Sequence, residues 1–276
     1  MNLVWGFLIT AAVTAIAVAT MLFVRRGAPV GSRFTDGDRA SGVFGVLATG
    51  FSVLLGFIVF LAFTSYDQSR TGAETEALMV IQQVETAQFF ADETALELTG
   101  ELVCYGRSVV SDEWEALRSG TLGDRINPWG VELFRTVRTI EPTTAAEQSA
   151  YDKWLEQTST REGARLDRVH GAVGVIPTQL WIVLFFIASV IFVYMLFFAD
   201  RGEGVATQAV LMGSVVSVIV TLFLLLYALD KPFGSGVGGL DPVAMERALR
   251  LVDEALSAVG EQVPIPCDSE GVQVAP

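Results

Sequence analysis

Residues 54–70, LLGFIVFLAFTSYDQSR, run as unbroken hydrocarbon to Phe63 and then turn polar at Thr64 to Arg70. So apolar a run, ending so abruptly, reads as a membrane span meeting water. Extended outward, the same test finds four segments without Asp, Glu, Lys, Arg or His: 3–24, 43–64, 178–199 and 206–229. Each is long enough to cross roughly 30 Å of hydrocarbon as a helix. Lipid offers no partners to backbone N–H and C=O groups, so helix is the expected form of all four. With 51% hydrophobic residues in 276, the chain reads as a multi-pass protein of the plasma membrane.

The first span lacks a basic residue before it and exceeds the length of a signal-peptide core, so it reads as retained, with Arg25 and Arg26 closing it. The expected fold class is all-α: four transmembrane helices with a large helical extramembrane domain between spans 2 and 3. The expected divisions are 1–64 (spans 1 and 2 with an Arg-rich loop), 65–176 (helical domain), 177–229 (spans 3 and 4) and 230–276 (Gly/Pro break, amphipathic helix and tail).

The domain's first half, from Ala73 to Leu117, lacks proline and is rich in Ala, Leu, Glu and Val, the pattern of helix. Gly120, Gly123, Asn127-Pro128 and Gly130 are expected to break it, and a last helix is expected over 143–170. Beyond span 4, Asp230 to Gly239 is too rich in Gly and Pro for regular helix, and Asp241-Pro242 is expected to start another, with Asp241 as its cap. There Met245, Leu249, Val252, Leu256 and Val259 form an apolar seam at 4, 3, 4, 3 spacing, suited either to docking on the chain's own domain or to a contact between subunits.

The formal net charge of −13 lies mainly outside the spans and argues against nucleic acid as a partner. Arginines and lysines near span ends number five on each side, so the positive-inside rule does not decide orientation. Cys104 and Cys267, the only cysteines, fall on the same side of a four-span chain. A disulfide is therefore open to them, as is a pair of separate buried thiols. The acidic domain, the Arg-rich first loop and this cysteine pair favour the domain lying outside the cytoplasm.

Pumps, voltage sensors and ion-coupled transporters keep ionisable groups at membrane depth; these spans have none. A passive pore with an apolar constriction needs none. Small residues recur at Ala48, Ser52 and Gly56 and at Gly213, Ser217 and Thr221, the spacing of close helix packing. Beside the first stripe, Thr49, Val53 and Phe57 share one edge of span 2 at i, i+4, i+8. Several copies of that helix around an axis would stack this edge into rings. Arg161, Arg165 and Arg168 share one face before span 3, suited either to drawing anions to a pore mouth or to pairing with the domain's own acids. His170 is the single histidine, so no transition-metal site is expected, and no cofactor. No HExxH, Gly-x-Ser-x-Gly or phosphate loop is present, and no enzymatic activity is expected.

The opening stretch resembles the second transmembrane helix of bestrophins, in which a Leu-Gly-Phe-containing neck ends in a polar exit; Thr64-Ser65-Tyr66-Asp67 echoes that exit. Tyr105 followed by DEWEALRSG (112–120), REGARL (161–166) leading into IPTQLW (176–181), and LDKPFGSGV (229–237) extend the likeness along most of the chain, which is similar to the bestrophin-like family of bacterial membrane proteins. The resemblance implies a pentameric anion channel in contact with membrane lipid and inorganic anions, with neck positions at Thr49, Val53 and Phe57. It also implies a cytoplasmic domain, against the charge reading above. Thr49 departs from a fully apolar neck, the paired tryptophans after the exit are missing, and no counterpart of the calcium clasp of animal members is found. The expected function is a passive, anion-selective channel lined by span 2; the alternative is an accessory membrane subunit whose helical domain binds another protein.

Overall fold

The computed structural model describes residues 3–31, 33–121, 126–236, 238–260 and 262–274. The described residues form nine α-helices and one isolated antiparallel bridge, Cys267 to Gln273. They fall into two compact units, Met1–Ser65 with Gly174–Gly239, and Tyr66–Val173 with Leu240–Pro276. The amphipathic helix of the expected fourth segment thus belongs with the long domain.

Unit 1 contains α1 (Leu3–Arg25), the first part of α2 (Gly37–Ala87), α7 (Thr178–Phe197) and α8 (Val205–Asp230). All four helices are long and apolar enough to cross a membrane. α1 lies along α8, with Ala17 and Met21 against Met212 and Val216. Gly213 faces α1 at ordinary packing distance: a Cβ there would stand 3.5 Å from the Thr14 methyl. The second seam joins α2 to α7 and α8 through Phe51, Leu55, Ile58, Ala62, Leu184, Ile191 and Leu226. Asp230 ends α8 and accepts hydrogen bonds from the amides of Val175 (2.8 Å) and Ile176 (2.9 Å), tying that end to the approach to α7. Hence Asp230 does more than terminate a helix. No more than 22% of any span's apolar window is buried within the chain, so most of each span needs a hydrocarbon solvent or another protein surface.

The polar exit of span 2 does not interrupt the helix. α2 continues for 51 residues, because Ser65-Tyr66-Asp67-Gln68-Ser69-Arg70 contains neither Gly nor Pro and every residue tolerates helical dihedrals.

Unit 2 holds the rest of α2, α3 (Asp92–Ser108), a π-helical turn (Val109–Glu113), α4 (Trp114–Ser119), α5 (Pro128–Val137), α6 (Ala145–His170) and α9 (Val243–Val259). The expected breaks are met at Gly120, a left-handed cap with φ +68°, and at Asn127, whose side chain accepts from the Trp129 amide ahead of Pro128. Gly130, expected as a break, lies inside α5; Gly123 falls outside the described residues, as does Val237 of LDKPFGSGV. Thr144 and Glu147 form a reciprocal capping box that starts α6. The chain also breaks between Ala87 and Asp92, where Phe90 is buried and Asp92 and Glu93 fill the first turn of α3. No Gly or Pro marks that turn.

Asp241 does not cap α9. Pro242 occupies the cap position and Asp241 pairs with Arg118 at 2.7 Å. The α9 seam docks on its own unit: Met245, Ala248 and Val252 are buried, and Leu249 packs on Gly106 of α3. Val259, the last seam position, is exposed. Cys104 and Cys267 are joined as a disulfide. Around it the segment after α9 lies on α3 and α5: Trp129 Nε1 donates to the Gly271 carbonyl at 2.6 Å and Arg107 donates to the Asp268 carbonyl at 3.0 Å. Pro264 fits against the bare face of Gly100.

Candidate functional site

Two sites invite a functional reading, one in each unit. In unit 1, α2 presents contrasting faces. Phe51, Leu55, Ile58 and Ala62 are at most 5% exposed, locked into the seam with α7 and α8. The edge carrying Thr49, Val53 and Phe57 is left uncovered, with Val53 69% and Phe57 61% exposed. Phe60 and Thr64 continue it. Between the two faces Ala48, Ser52 and Gly56 line an open apolar groove whose far wall is Ser214, Val218 and Leu222 of α8. A Cβ on Gly42, Gly45, Gly50 or Gly56 would meet nothing within 4 Å, so these glycines serve no close contact inside the protomer. The second small-residue stripe behaves differently: its Gly213 is already filled by α1.

In unit 2, α2 and α6 run antiparallel with polar residues in matched register. Ser69, Glu76 and Gln83 recur every seventh residue on the buried face of α2, and Arg161 and Arg168 recur at the same interval on α6. Arg161 donates to Gln83 Oε1 at 2.7 Å, Arg168 donates to both Glu76 oxygens at 2.5 and 3.0 Å, and Ser69 reaches the Asp167 carbonyl. Gly72 permits this approach, because a Cβ there would stand 2.6 Å from the Ala164 carbonyl oxygen and 2.7 Å from the Arg168 amide nitrogen.

Glu113 closes the network from the π turn. The inserted residue of a π turn re-aims the side chains after it, and here Glu113 accepts from Arg165, Arg168 and Asn127. Burial pushes its carboxyl up, but Arg168 and Arg165 outweigh that and hold it below the usual carboxylate range. Burial likewise pushes the Arg168 guanidinium down, while Glu76 and Glu113 more than restore it, leaving its proton held more firmly than usual. The Tyr105 hydroxyl donates to Glu76 at 2.6 Å, its ring lies 4.6 Å beneath the Arg161 guanidinium, and burial raises its phenol well above the ordinary value.

This placement departs from one expectation. The side chains of Arg161, Arg165 and Arg168 are 1%, 11% and 0% exposed and are paired with Glu162, Glu113 and Glu76. They face the unit's interior rather than an approaching anion. Sequence reasoning missed Glu76, Gln83 and Glu113. The available signal was the shared seven-residue spacing on two helices about eighty positions apart.

A family model described as Bestrophin-like domain matches residues 11–244. The chain belongs to the bestrophin-like family. Its fold is that of a bacterial bestrophin homolog from Klebsiella pneumoniae: one crystal structure of a variant matches with TM-score 0.65 at 14% identity, covering 92% of this chain and 98% of that one. A second variant gives TM-score 0.66 at 14% identity over 90% and 98%. A third crystal structure of that homolog gives TM-score 0.62 at 14% identity over 95% and 100%. No curated protein gives a significant match. At this identity the likeness is one of fold.

Proposed function

We propose that this bestrophin-like chain is a subunit of a homo-oligomeric, passive, anion-selective channel in the plasma membrane, with α2 lining the conduit. Known members of the family are anion channels, and five copies is the number that the resemblance implies. The observation that carries the reading is the uncovered Thr49, Val53 and Phe57 edge of a helix whose opposite face is fully committed to its own protomer. Turned toward an axis, that edge supplies one hydroxyl ring and two apolar rings, a constriction that passes ions only when wetted. Phe57 is the bulkiest of the three and sets the narrowest point. The bilayer and transported inorganic anions are the partners of this reading; no catalytic step enters it.

Planar-bilayer recording of the purified full chain tests it. Chloride conductance that rises in Phe57→Ala supports the assignment. Silence in both parent and variant, with a monomer or a fixed partner of different mass in mild detergent, favours the accessory-subunit reading instead.

A further inference from the structure

We infer that unit 2 faces the oxidising, non-cytoplasmic side of the membrane, with the loops at 26–36 and 198–204 in the cytoplasm. The inference rests on reading α1, α2, α7 and α8 as spans and is independent of conduction.

Two observations carry it. The first is the Cys104–Cys267 bond. It joins residues 163 positions apart, and both cysteines are buried, at 0% and 6% exposure. The segment around Cys267 is fitted to the bonded geometry by Trp129, Arg107 and Gly100. Closing the bond removes two electrons and two protons from the thiols, taken by thiol–disulfide exchange with a disulfide oxidant, which leaves as a dithiol. Such oxidants act in exported compartments, whereas cytosolic thiols are kept reduced.

The second is the fate of the arginines. Of the five cations near span ends on the unit 2 side, Arg165 and Arg168 are buried against Glu113 and Glu76, Arg161 is buried against Gln83 and Glu162, Arg70 pairs with Glu74 at the surface, and Lys231 lies over the Tyr227 ring. At the opposite ends, Arg25, Arg26, Arg33, Arg39 and Arg201 sit in or beside two short loops, the kind that the positive-inside bias reads. Long segments cross largely regardless of charge. Arg25 ties the two loops together by donating to the carbonyls of Asp200, Arg201 and Glu203.

The test uses the full chain in bacterial spheroplasts, with a membrane-impermeant maleimide and a new cysteine at Glu156→Cys (exposed, α6) or Glu203→Cys (exposed, short loop). Labelling of Glu156→Cys in intact spheroplasts, and of Glu203→Cys only after lysis, is the expected result. The reverse pattern overturns the orientation. Equal labelling of both before lysis overturns the span reading itself. As an independent readout, parent chain quenched with alkylating acid should carry no alkyl group and weigh two hydrogens less than the reduced form; two alkylated thiols would overturn the assignment.

Discussion

Arg168 of α6 grips Glu76 of α2 with two nitrogens, Nε on one carboxylate oxygen and Nη2 on the other, at a site where both side chains are 0% exposed. Removing one partner of such a pair strands the other charge in the interior, which costs about 3–5 kcal/mol. Arg168→Met should therefore lower the midpoint of thermal unfolding in detergent by many degrees, and more than Arg70→Met, whose pair with Glu74 is exposed and is worth at most about 1 kcal/mol.

Gly72 tests the same junction through shape instead of charge. A methyl there would run into the Ala164 carbonyl and the Arg168 amide, both backbone and unable to swing aside. Gly72→Ala should cost about 1–3 kcal/mol, despite alanine's better helix propensity. Gly163→Ala, on α6 but with open space around its Cβ, should stabilise slightly. Unfolding followed by tryptophan fluorescence separates the two.

The Cys104–Cys267 bond closes a long loop. Replacing both cysteines by alanine, or adding a dithiol reductant, should cost about 2–5 kcal/mol and make the segment at 262–274 the first site of proteolytic cleavage. Equal cleavage rates with and without reductant would contradict this.

Glu101 gives unit 2 a pH dependence of known sign. Burial between α3 and α5 raises its carboxyl from 4.5 to about 7; the Thr136 hydroxyl at 2.9 Å pulls the other way, and Glu97 and Glu132 add to the rise. The folded state then holds a proton that the unfolded chain releases, so stability falls as pH rises from about 4.5 to about 7 and levels off above. Glu101→Gln should raise the unfolding midpoint at pH 8 and leave it nearly unchanged at pH 4.5.

The open groove of α2 provides a test of assembly. Gly56→Leu fills space that the protomer leaves empty, so the variant protomer should still fold, with any fall in its unfolding midpoint coming from lost association. In native mass spectrometry the same variant should shift from oligomer to monomer. An unchanged oligomer would show that neighbouring copies do not use the groove.

The four long apolar helices were legible because hydrocarbon length and the absence of charge are local properties. Asn127-Pro128 and Gly120 were legible for a similar reason, since each carries its own backbone constraint. The turn at Gln88–Ala91 was not, because it holds neither Gly nor Pro and its buried Phe90 carries no local signal of a break. The α6 arginines show the limit most clearly. A row of Arg161, Arg165 and Arg168 fits a solvated face as well as a buried one, and only the matched Glu76 and Gln83 on a distant helix decides between them. The π turn that brings Glu113 to the same cluster has no residue signature at all. For the Thr49, Val53 and Phe57 edge, the alignment of side chains was readable from spacing, while its emptiness needed the packing of α7 and α8.

Because Cys267 follows α7 and α8 in the chain while its partner Cys104 precedes them, unit 2 is interrupted by two apolar helices of unit 1 during synthesis. Its first half leaves the ribosome before α7 and α8 are made, and only afterwards receives α9 and the closing cysteine. Completion of unit 2 is thereby coupled to the passage of α7 and α8: until α9 and Cys267 have been made, it lacks the buried Met245, Ala248 and Val252 and its covalent latch.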